Sequence, residues 1–197
     1  MEGNAARLPS APAITGSHFD RANSHVVRSL RQSHLLEAWL VHLKRTRTLP
    51  AANDFPALRE YREAGELTFF RVTHRDNELR YFVVQESVSF RTFFGASSQG
   101  RFLDETQKPR SLQIGRRSLD ECVNQALPIF AAFSMDNQSG EQVICERLTL
   151  PFGTGSNDVS DVITSLKVTS WSKDKLLFAQ PGKQEPKYSF RAIIEPD

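Results

Sequence analysis

The histidines are the side chains of this sequence best suited to acid–base or metal chemistry, because imidazole titrates near neutral pH and binds transition metals. There are five of them, at His18, His25, His34, His42 and His74. None belongs to the i, i+4 pair with which a single helix binds a metal ion. His34 and His42 are eight residues apart, which separates them by about 12 Å along a helix. We interpret all five as surface residues, and the sequence predicts no metal site.

The common motifs for nucleophiles and phosphate binding are also missing from the sequence. Cys122 and Cys145 are too few for a four-ligand zinc site or a disulfide framework. There is no Gly-x-Ser-x-Gly elbow, and the turn at residues 153–156 lacks the lysine of a phosphate loop. We therefore expect neither hydrolase nor transferase activity.

Glu146 is an acidic residue on an otherwise apolar strand face. The even positions of the predicted strand at residues 144–152 are apolar at Ile144, Leu148, Leu150 and Phe152. A carboxylate on a buried face costs several kcal/mol unless it has a partner. Three interpretations stay open: an ion pair with an arginine such as Arg71, exposure through strand twist, or contact with a ligand.

Phenylalanine is abundant, with 14 residues in the chain. Half of them fall in or beside the predicted central elements: Phe82, Phe90, Phe93, Phe94, Phe102, Phe130 and Phe133. Core packing accounts for most such residues, and a ligand cavity would use the same residue type. The phenylalanines therefore indicate where a cavity could lie without showing that one exists.

Length and composition are those of one ordinary globular domain with two tails. The 197 residues carry a formal charge of +2 and are 39% hydrophobic, which gives no support for bulk nucleic-acid binding or for disorder of the whole chain. The longest uncharged apolar run, at residues 123–135, is too short to span a bilayer. The first residues lack a basic start followed by an apolar block, so we expect a cytoplasmic protein without membrane contact.

The N-terminal region divides into a predicted disordered leader at residues 1–22 and a predicted amphipathic helix at residues 23–49. The helix has a stripe of large apolar side chains at Leu35, Leu36, Trp39, Leu40 and Leu43. A stripe this wide is not stably exposed on a monomer, so we predict that these five residues form a dimer interface.

The remaining elements follow the order β-β-α-α-β-β-β. Alternating apolar residues predict strands at 66–74, 78–86, 129–135, 141–152 and 158–171, and helices are predicted at 87–97 and 117–127. Ser118 followed by Glu121 has the spacing of a capping box, which predicts that the second helix begins there. In the tail at residues 173–197, Tyr188, Phe190, Ala192 and Ile194 alternate, which indicates an extra strand or docking arm.

A series of short motifs is spread over residues 35–172, about 70% of the chain. They are Trp39 with Leu49-Pro50, Asn53-Asp54-Phe55, Leu79-Arg80-Tyr81-Phe82-Val83-Val84, Phe94-Gly95, Gly100-Arg101-Phe102-Leu103-Asp104 and Glu146-Arg147-Leu148-Thr149-Leu150-Pro151-Phe152. In this order they resemble the PAS superfamily, most closely the bacterial single-domain PAS-like proteins that open with a Trp-containing helix. The glycine usual after the second strand is replaced here by Gln85-Glu86-Ser87.

The resemblance implies an α+β fold with a five-stranded antiparallel sheet of order 2-1-5-4-3, helices on one face and a flanking N-terminal helix. The PAS-like domain would occupy residues 50–172. Such domains are sensory or protein-interaction modules without catalytic activity. The resemblance therefore implies a role in bacterial signalling, a small apolar ligand, a homodimer and a partner protein that receives the signal.

The resemblance also bears on cofactors and on the ligand-binding residues. Flavin photoreceptors of this fold have a cysteine where this chain has Gly100, and haem-binding members use a histidine where none follows His74. We therefore expect no cofactor. The cavity implied by the resemblance would be lined by Phe82, Phe94, Phe102, Phe133, Glu146, Leu148 and Leu166.

Three other functions remain open at this point. A small cavity enzyme on a cone-shaped α+β fold would need an acid and a histidine at the cavity floor, yet no histidine follows residue 74. An adaptor without any ligand would use the same core. A helix that binds nucleic acid or anionic membranes would explain the six basic residues against one acidic residue in positions 21–50, although a solvated helix face explains them more simply.

Overall fold

The computed structural model of the chain describes residues 18–76, 78–94, 97–107, 109–136, 142–154, 157–170 and 187–196. It contains seven strands: β1 (Asp20–Ala22), β2 (Leu67–Arg75), β3 (Glu78–Gln85), β4 (Ile129–Asp136), β5 (Gln142–Phe152), β6 (Asp161–Ser170) and β7 (Lys187–Ile194). Its α-helices are α1 (Leu30–Thr46), α2 (Leu58–Glu63), α3 (Val88–Phe94), α4 (Leu103–Thr106) and α5 (Pro109–Gln125).

The N-terminal region differs from its prediction at both ends of the helix. Asn23 caps a short 3-10 helix, Ser24–Val26, through a hydrogen bond that its side chain accepts from the His25 amide. Helix α1 begins only at Leu30 and ends before Arg47, whose left-handed φ of 61° stops the helix. Residues 20–22 of the predicted disordered leader form strand β1. Residues 1–17 lie outside the described part of the chain.

All seven strands belong to one sheet, in the order β1-β7-β4-β5-β6-β2-β3. Neighbouring strands are antiparallel except β1 and β7, which pair in parallel. The expectation of a five-stranded, fully antiparallel sheet is therefore corrected to a mixed sheet of seven strands. The two added strands come from the chain's N-terminal and C-terminal segments, and they extend the edge of the sheet next to β4.

Helices cover both sides of this sheet, which corrects the expectation of helices on one face. On one side, Trp39 of helix α1 packs in a core with Leu148 and Leu150 of β5. On the other, Leu119 and Cys122 of helix α5 pack in a separate core. We call these the α1 face and the α5 face. Strand β5 is buried at every residue from 147 to 152, and a strand that is buried on both sides needs a cover on both sides.

Helix α5 begins much earlier than the capping-box pattern predicted. It starts at Pro109, a residue type that suits the first helical position because it has no amide hydrogen to leave unbonded. Ser118 therefore lies inside the helix and its hydroxyl accepts a hydrogen bond from Arg147 of the sheet, at 2.8 Å. A serine cap is found instead on helix α3. The Oγ of Ser87 accepts a hydrogen bond from the Phe90 amide at 3.0 Å.

Across the described residues, none of the helices is long and apolar enough to cross a membrane.

Candidate functional site

A small enclosed cavity lies on the α5 face, between the sheet and helices α3 to α5. Most of its wall is apolar, with contributions from Phe70, Phe90, Leu119, Phe133 and Leu166. Its free space is about 20 Å³, which limits any occupant to a very small molecule. The side chains that add polar atoms to the wall are Gln107, Arg147 and Thr164.

Arg147 places a cation in the wall of this cavity. Its side chain projects from β5 toward α5 and is only 7% exposed. Its Nη2 donates to the hydroxyl of Ser118, and its Cζ lies 5.6 Å from the centre of the Phe133 ring. A Cβ atom at Gly115 would lie 3.7 Å from Arg147 Nη1, so α5 packs directly against the guanidinium at a distance that would also accommodate a methyl group.

The other polar end of the cavity is held by a hydrogen-bonded corner after strand β3. Gln107 donates from Nε2 to the hydroxyl of Ser98, at 2.8 Å. The backbone amide of Ser98 donates to Glu86 Oε1 at 2.9 Å, and Ser97 donates to Glu86 Oε2 at 2.8 Å. Glu86 stands in the segment where the resemblance led us to expect a glycine. Its buried carboxylate thus organises the corner that the missing glycine would have shaped.

A second buried arginine, Arg191, lies in the same transverse row of the sheet as Arg147. Both are in register with Ala131 of β4, one from each neighbouring strand. Arg191 is 3% exposed, and its Cζ lies 4.3 Å above the Tyr188 ring and 5.2 Å from that of Phe19. Burial, together with the positive charges of Arg117 and Arg147, lowers the pKa of the Arg191 guanidinium.

The predicted lining residues are only partly brought together. Phe133 and Leu166 contribute to the cavity wall. Phe82 and Phe102 contact each other edge to face, with ring centres 5.4 Å apart, at the outer edge formed by β3. Arg80 covers that pair with its Cζ 3.9 Å from the Phe102 ring. The side chain of Phe94 lies outside the described part of the chain.

Glu146 and Leu148 lie on the opposite side of the sheet from this cavity, so they do not contribute to its wall. Leu148 packs in the core beneath α1. Glu146 is 26% exposed and accepts a hydrogen bond from Lys167, its cross-strand partner, at 3.2 Å. Arg71, the partner considered from the sequence, instead pairs with Asp161. Strand parity was right that Glu146 shares a face with Leu148, but this is the α1 face.

The apolar stripe of α1 covers the chain's own sheet. Leu35, Leu36 and Trp39 are completely or almost completely buried, and Leu40 and Leu43 pack beside the same core. The Trp39 indole donates to the carbonyl of Pro151 at 2.8 Å. Because the chain itself buries this stripe, the structure gives these residues a packing role instead of the predicted dimer contact.

Arg147, Arg191, Gln107 and Ser118 were missed as candidate residues. Arg147 stands at an odd position of a strand for which the sequence analysis followed the even face. In the segment of strand β7 the even positions are apolar and Arg191 stands at an odd one, which is the pattern of a solvent-facing residue. The sequence did contain one signal for them: Phe130, Ala131 and Phe133 make β4 apolar on both faces. The strands beside such a strand are covered on both faces as well, so their polar residues are buried.

The histidines lie apart from the cavity wall, and the part of the chain that the structure describes contains no cluster of potential metal ligands. His34 belongs to helix α1, and its Nδ1 atom lies 3.1 Å from the hydroxyl of Tyr61 in helix α2. Burial, and to a lesser degree the charge of Arg45, lowers the pKa of His42, which contacts Phe55 edge to face. Both histidines belong to the α1 side of the molecule.

No protein-family model and no curated protein matches the sequence. Among solved structures, a light-oxygen-voltage (LOV) domain studied with a flavin analogue is similar with a TM-score of 0.43 and 14% identity, over 64% of this chain and 92% of that one. The LOV domain of the blue-light photoreceptor Aureochrome1 is also 14% identical. Its dark structure has a TM-score of 0.39 over 62% of this chain and 88% of that one, and its light-state structure 0.35 over 57% and 85%. These neighbours are LOV domains, which are members of the PAS superfamily that the sequence motifs resemble.

Proposed function

We propose that this chain is a non-enzymatic sensory or protein-interaction module of the PAS type, which holds a small ligand in the cavity on the α5 face. The order of the sheet supports this proposal independently of any neighbour. Strands β2 to β6 lie in the order β3-β2-β6-β5-β4. Numbered along the chain from 1 to 5, they read 2-1-5-4-3, the arrangement expected for a PAS domain flanked here by β1, α1 and β7.

The composition of the cavity wall is the observation on which the ligand-binding role depends. An enclosed apolar cavity with a few polar groups is the usual form of a small-molecule site. Here the polar groups are the Arg147 guanidinium, the Gln107 amide and the Thr164 hydroxyl. None of the three is an imidazole, carboxyl or thiol group of the kind that commonly transfers protons, so the described wall is equipped to bind a molecule rather than to transfer protons. This favours a sensor over the cavity enzyme considered from the sequence.

A flavin, whose analogue was studied in one of the LOV domains, does not fit this cavity. Sites for drug-sized ligands enclose about 300 to 1,000 Å³, whereas the free space here is about 20 Å³. Gly100 also occupies the position where the resemblance places the photoreceptor cysteine. We therefore assign no flavin chemistry to the chain and propose a ligand of only a few non-hydrogen atoms.

The proposed function also includes how the signal leaves the module and how the chain assembles. We propose that a partner protein receives the signal and that the module works in the cytoplasm. A homodimer stays a prediction. It would use a surface other than the buried stripe, and Leu30 and Val41 are exposed apolar residues of α1.

A native mass spectrum of the protein purified from its own host tests this function. We expect a bound small molecule, together with the oligomeric state. The variant Leu166→Trp should lose the bound mass because the larger ring fills the cavity, whereas Val84→Trp, at an exposed position, should retain it. An adaptor without a ligand would give the bare chain mass in all three proteins, and turnover of a candidate ligand would support the enzyme instead.

A further inference from the structure

Three residues form a transverse row across the α5 face: Arg191 of β7, Ala131 of β4 and Arg147 of β5. The register pairs Ala131 with Arg191 on one side and with Arg147 on the other. Paired residues share a face, and adjacent strands are about 4.8 Å apart, so the two arginine Cα atoms are about 10 Å apart. The side chain between the two long arginine side chains is a single methyl group.

Among the described residues, Arg191 lacks the counter-charge that a buried cation needs. Its Nε atom is buried and has no hydrogen-bond partner within the same part of the chain. The rings of Phe19 and Tyr188 contact the guanidinium by cation–π interactions, which satisfy its charge only in part. The cations that act on it are Arg117 and Arg147. Buried charges are normally paired or bound to a ligand, because desolvation of an isolated charge is costly.

Two carboxylates, one on β5 and one on α5, have other partners. Glu146, next to Arg147 in sequence, lies on the α1 face with Lys167. Asp120 of α5 accepts from the Tyr81 hydroxyl at 2.7 Å and pairs with Arg116. These two carboxylates therefore do not neutralise the charge of Arg191.

The surroundings of Arg147 would suit an anion at the same place. Ser118 presents a hydroxyl 2.8 Å from its Nη2, and a hydroxyl can also donate to an anion. Guanidinium groups bind carboxylate and phosphate oxygens through paired, charge-assisted hydrogen bonds. The adjoining free space of about 20 Å³ limits the ligand to a small one.

We propose that a small oxyanion, a carboxylate or a phosphate, binds between Arg147 and Arg191 above Ala131. This inference rests on the proposed function and names a ligand class for the α5 face, at a site that shares Arg147 with the cavity wall. The oxyanion supplies the counter-charge for Arg191, and its binding stabilises the contact between helix α5 and strands β4, β5 and β7.

The test measures the melting temperature of the full chain at constant ionic strength, in sodium acetate, sodium phosphate or sodium chloride. Acetamide serves as the neutral counterpart of acetate. We expect acetate or phosphate to raise the melting temperature in a saturable way, by about 5 to 10 °C at 100 times the Kd. A rise with acetate alone identifies a carboxylate ligand, and a rise with phosphate alone identifies a phosphate ligand.

The variant Arg191→Met should lose this rise, while the control Arg75→Met, at an exposed position of the β2–β3 hairpin, should keep it. If Arg191→Met fails to fold, Arg191→Lys should show a smaller rise than the wild type, because an ammonium group cannot form the paired hydrogen bonds. The proposal is overturned if neither anion exceeds chloride, or if the rise is the same in the folded Arg191 variant as in the wild type. Stabilisation by acetamide but by neither anion would overturn the oxyanion proposal and leave the proposed ligand-binding function standing. If no probe has an effect and the native mass spectrum shows no bound molecule, both the oxyanion proposal and the ligand-binding function are overturned.

Discussion

The two faces of the sheet are covered by helices of equal length, α1 and α5, with 17 residues each, yet the two interfaces differ in chemistry. Under α1, Trp39, Leu148 and Phe152 are fully buried in one apolar core. Under α5, the sheet contributes the buried guanidinium groups of Arg147, which lines a small cavity, and of Arg191. The α1 face is filled mainly by apolar side chains, with the buried Gln32 amide donating to backbone carbonyls of the sheet, whereas the α5 face buries whole cationic groups at a cost in stability. Departures of this kind are where a binding site is expected.

The largest expected effect distinguishes the α1 face as the stabilising one. Trp39→Ala should lower the free energy of unfolding by about 3 to 5 kcal/mol, because it leaves a large cavity and removes the donor to the Pro151 carbonyl. Urea denaturation measures this loss. Val41→Ala, on the exposed side of the same helix, should change stability by less than about 0.5 kcal/mol. Equal losses in the two variants would show that the α1 face is not a stabilising core.

A smaller loss is expected at the corner that holds the polar end of the cavity. Glu86→Gln replaces a carboxylate that accepts hydrogen bonds from Ser97 and Ser98. The amide nitrogen of glutamine is a donor facing a donor, so we expect a loss of about 1 to 3 kcal/mol. Glu105→Gln, at an exposed site, is the control. Stability unchanged by Glu86→Gln would mean that the corner does not depend on this carboxylate.

The sequence was sufficient to predict most strands and the longer helices, but neither the short elements nor the pairing of the strands. Helical spacing of Leu35, Leu36 and Trp39 identified an amphipathic helix, and alternation identified most strands, because both patterns are local. The side on which each face packs depends on pairings between residues far apart, such as Ala131 with Arg191. A sequence pattern does not encode such a register, so the row of Arg191, Ala131 and Arg147 was not predicted. Strand β1 was missed because three residues are too few to show an alternating pattern.

The same reasoning explains why only some of the predicted lining residues meet at the cavity. Phe133 and Leu166 were assigned to the cavity by the PAS resemblance, and they do contribute to its wall. Glu146 and Leu148 were assigned with them because no sequence feature distinguishes the two faces of a strand that is buried on both. The resemblance therefore located the strand correctly, whereas the choice of face required the packed helices.

A gain in stability is expected where the cavity face leaves space. Gly115→Ala adds a methyl group in ordinary van der Waals contact, 3.7 Å from Arg147 Nη1. Alanine is favoured over glycine inside a helix, so we expect a gain of about 0.5 to 1 kcal/mol. The gain should be read from urea denaturation, with anion binding measured in parallel. A loss of stability would indicate that α5 needs the glycine to approach the guanidinium.

The smallest effect is expected at Glu146, on the α1 face. Its ion pair with Lys167 is partly exposed, and such pairs contribute about 0 to 1 kcal/mol. Glu146→Gln should therefore alter stability by no more than this and leave acetate or phosphate binding unchanged. Isothermal titration of the variant is the measurement, and weakened binding would return Glu146 to the ligand site.

The central claim is that the α5 face binds the ligand and the α1 face only stabilises the fold, and methyl NMR with acetate or phosphate tests it most directly. Leucine methyl groups report on both faces: Leu119 and Leu166 near the cavity, and Leu148 and Leu150 beneath α1. The account predicts that titration shifts the signals of the first pair progressively and leaves those of the second pair in place, and that Arg191→Met abolishes the shifts. Shifts concentrated at Leu148 and Leu150, or the same shifts in Arg191→Met, would contradict it.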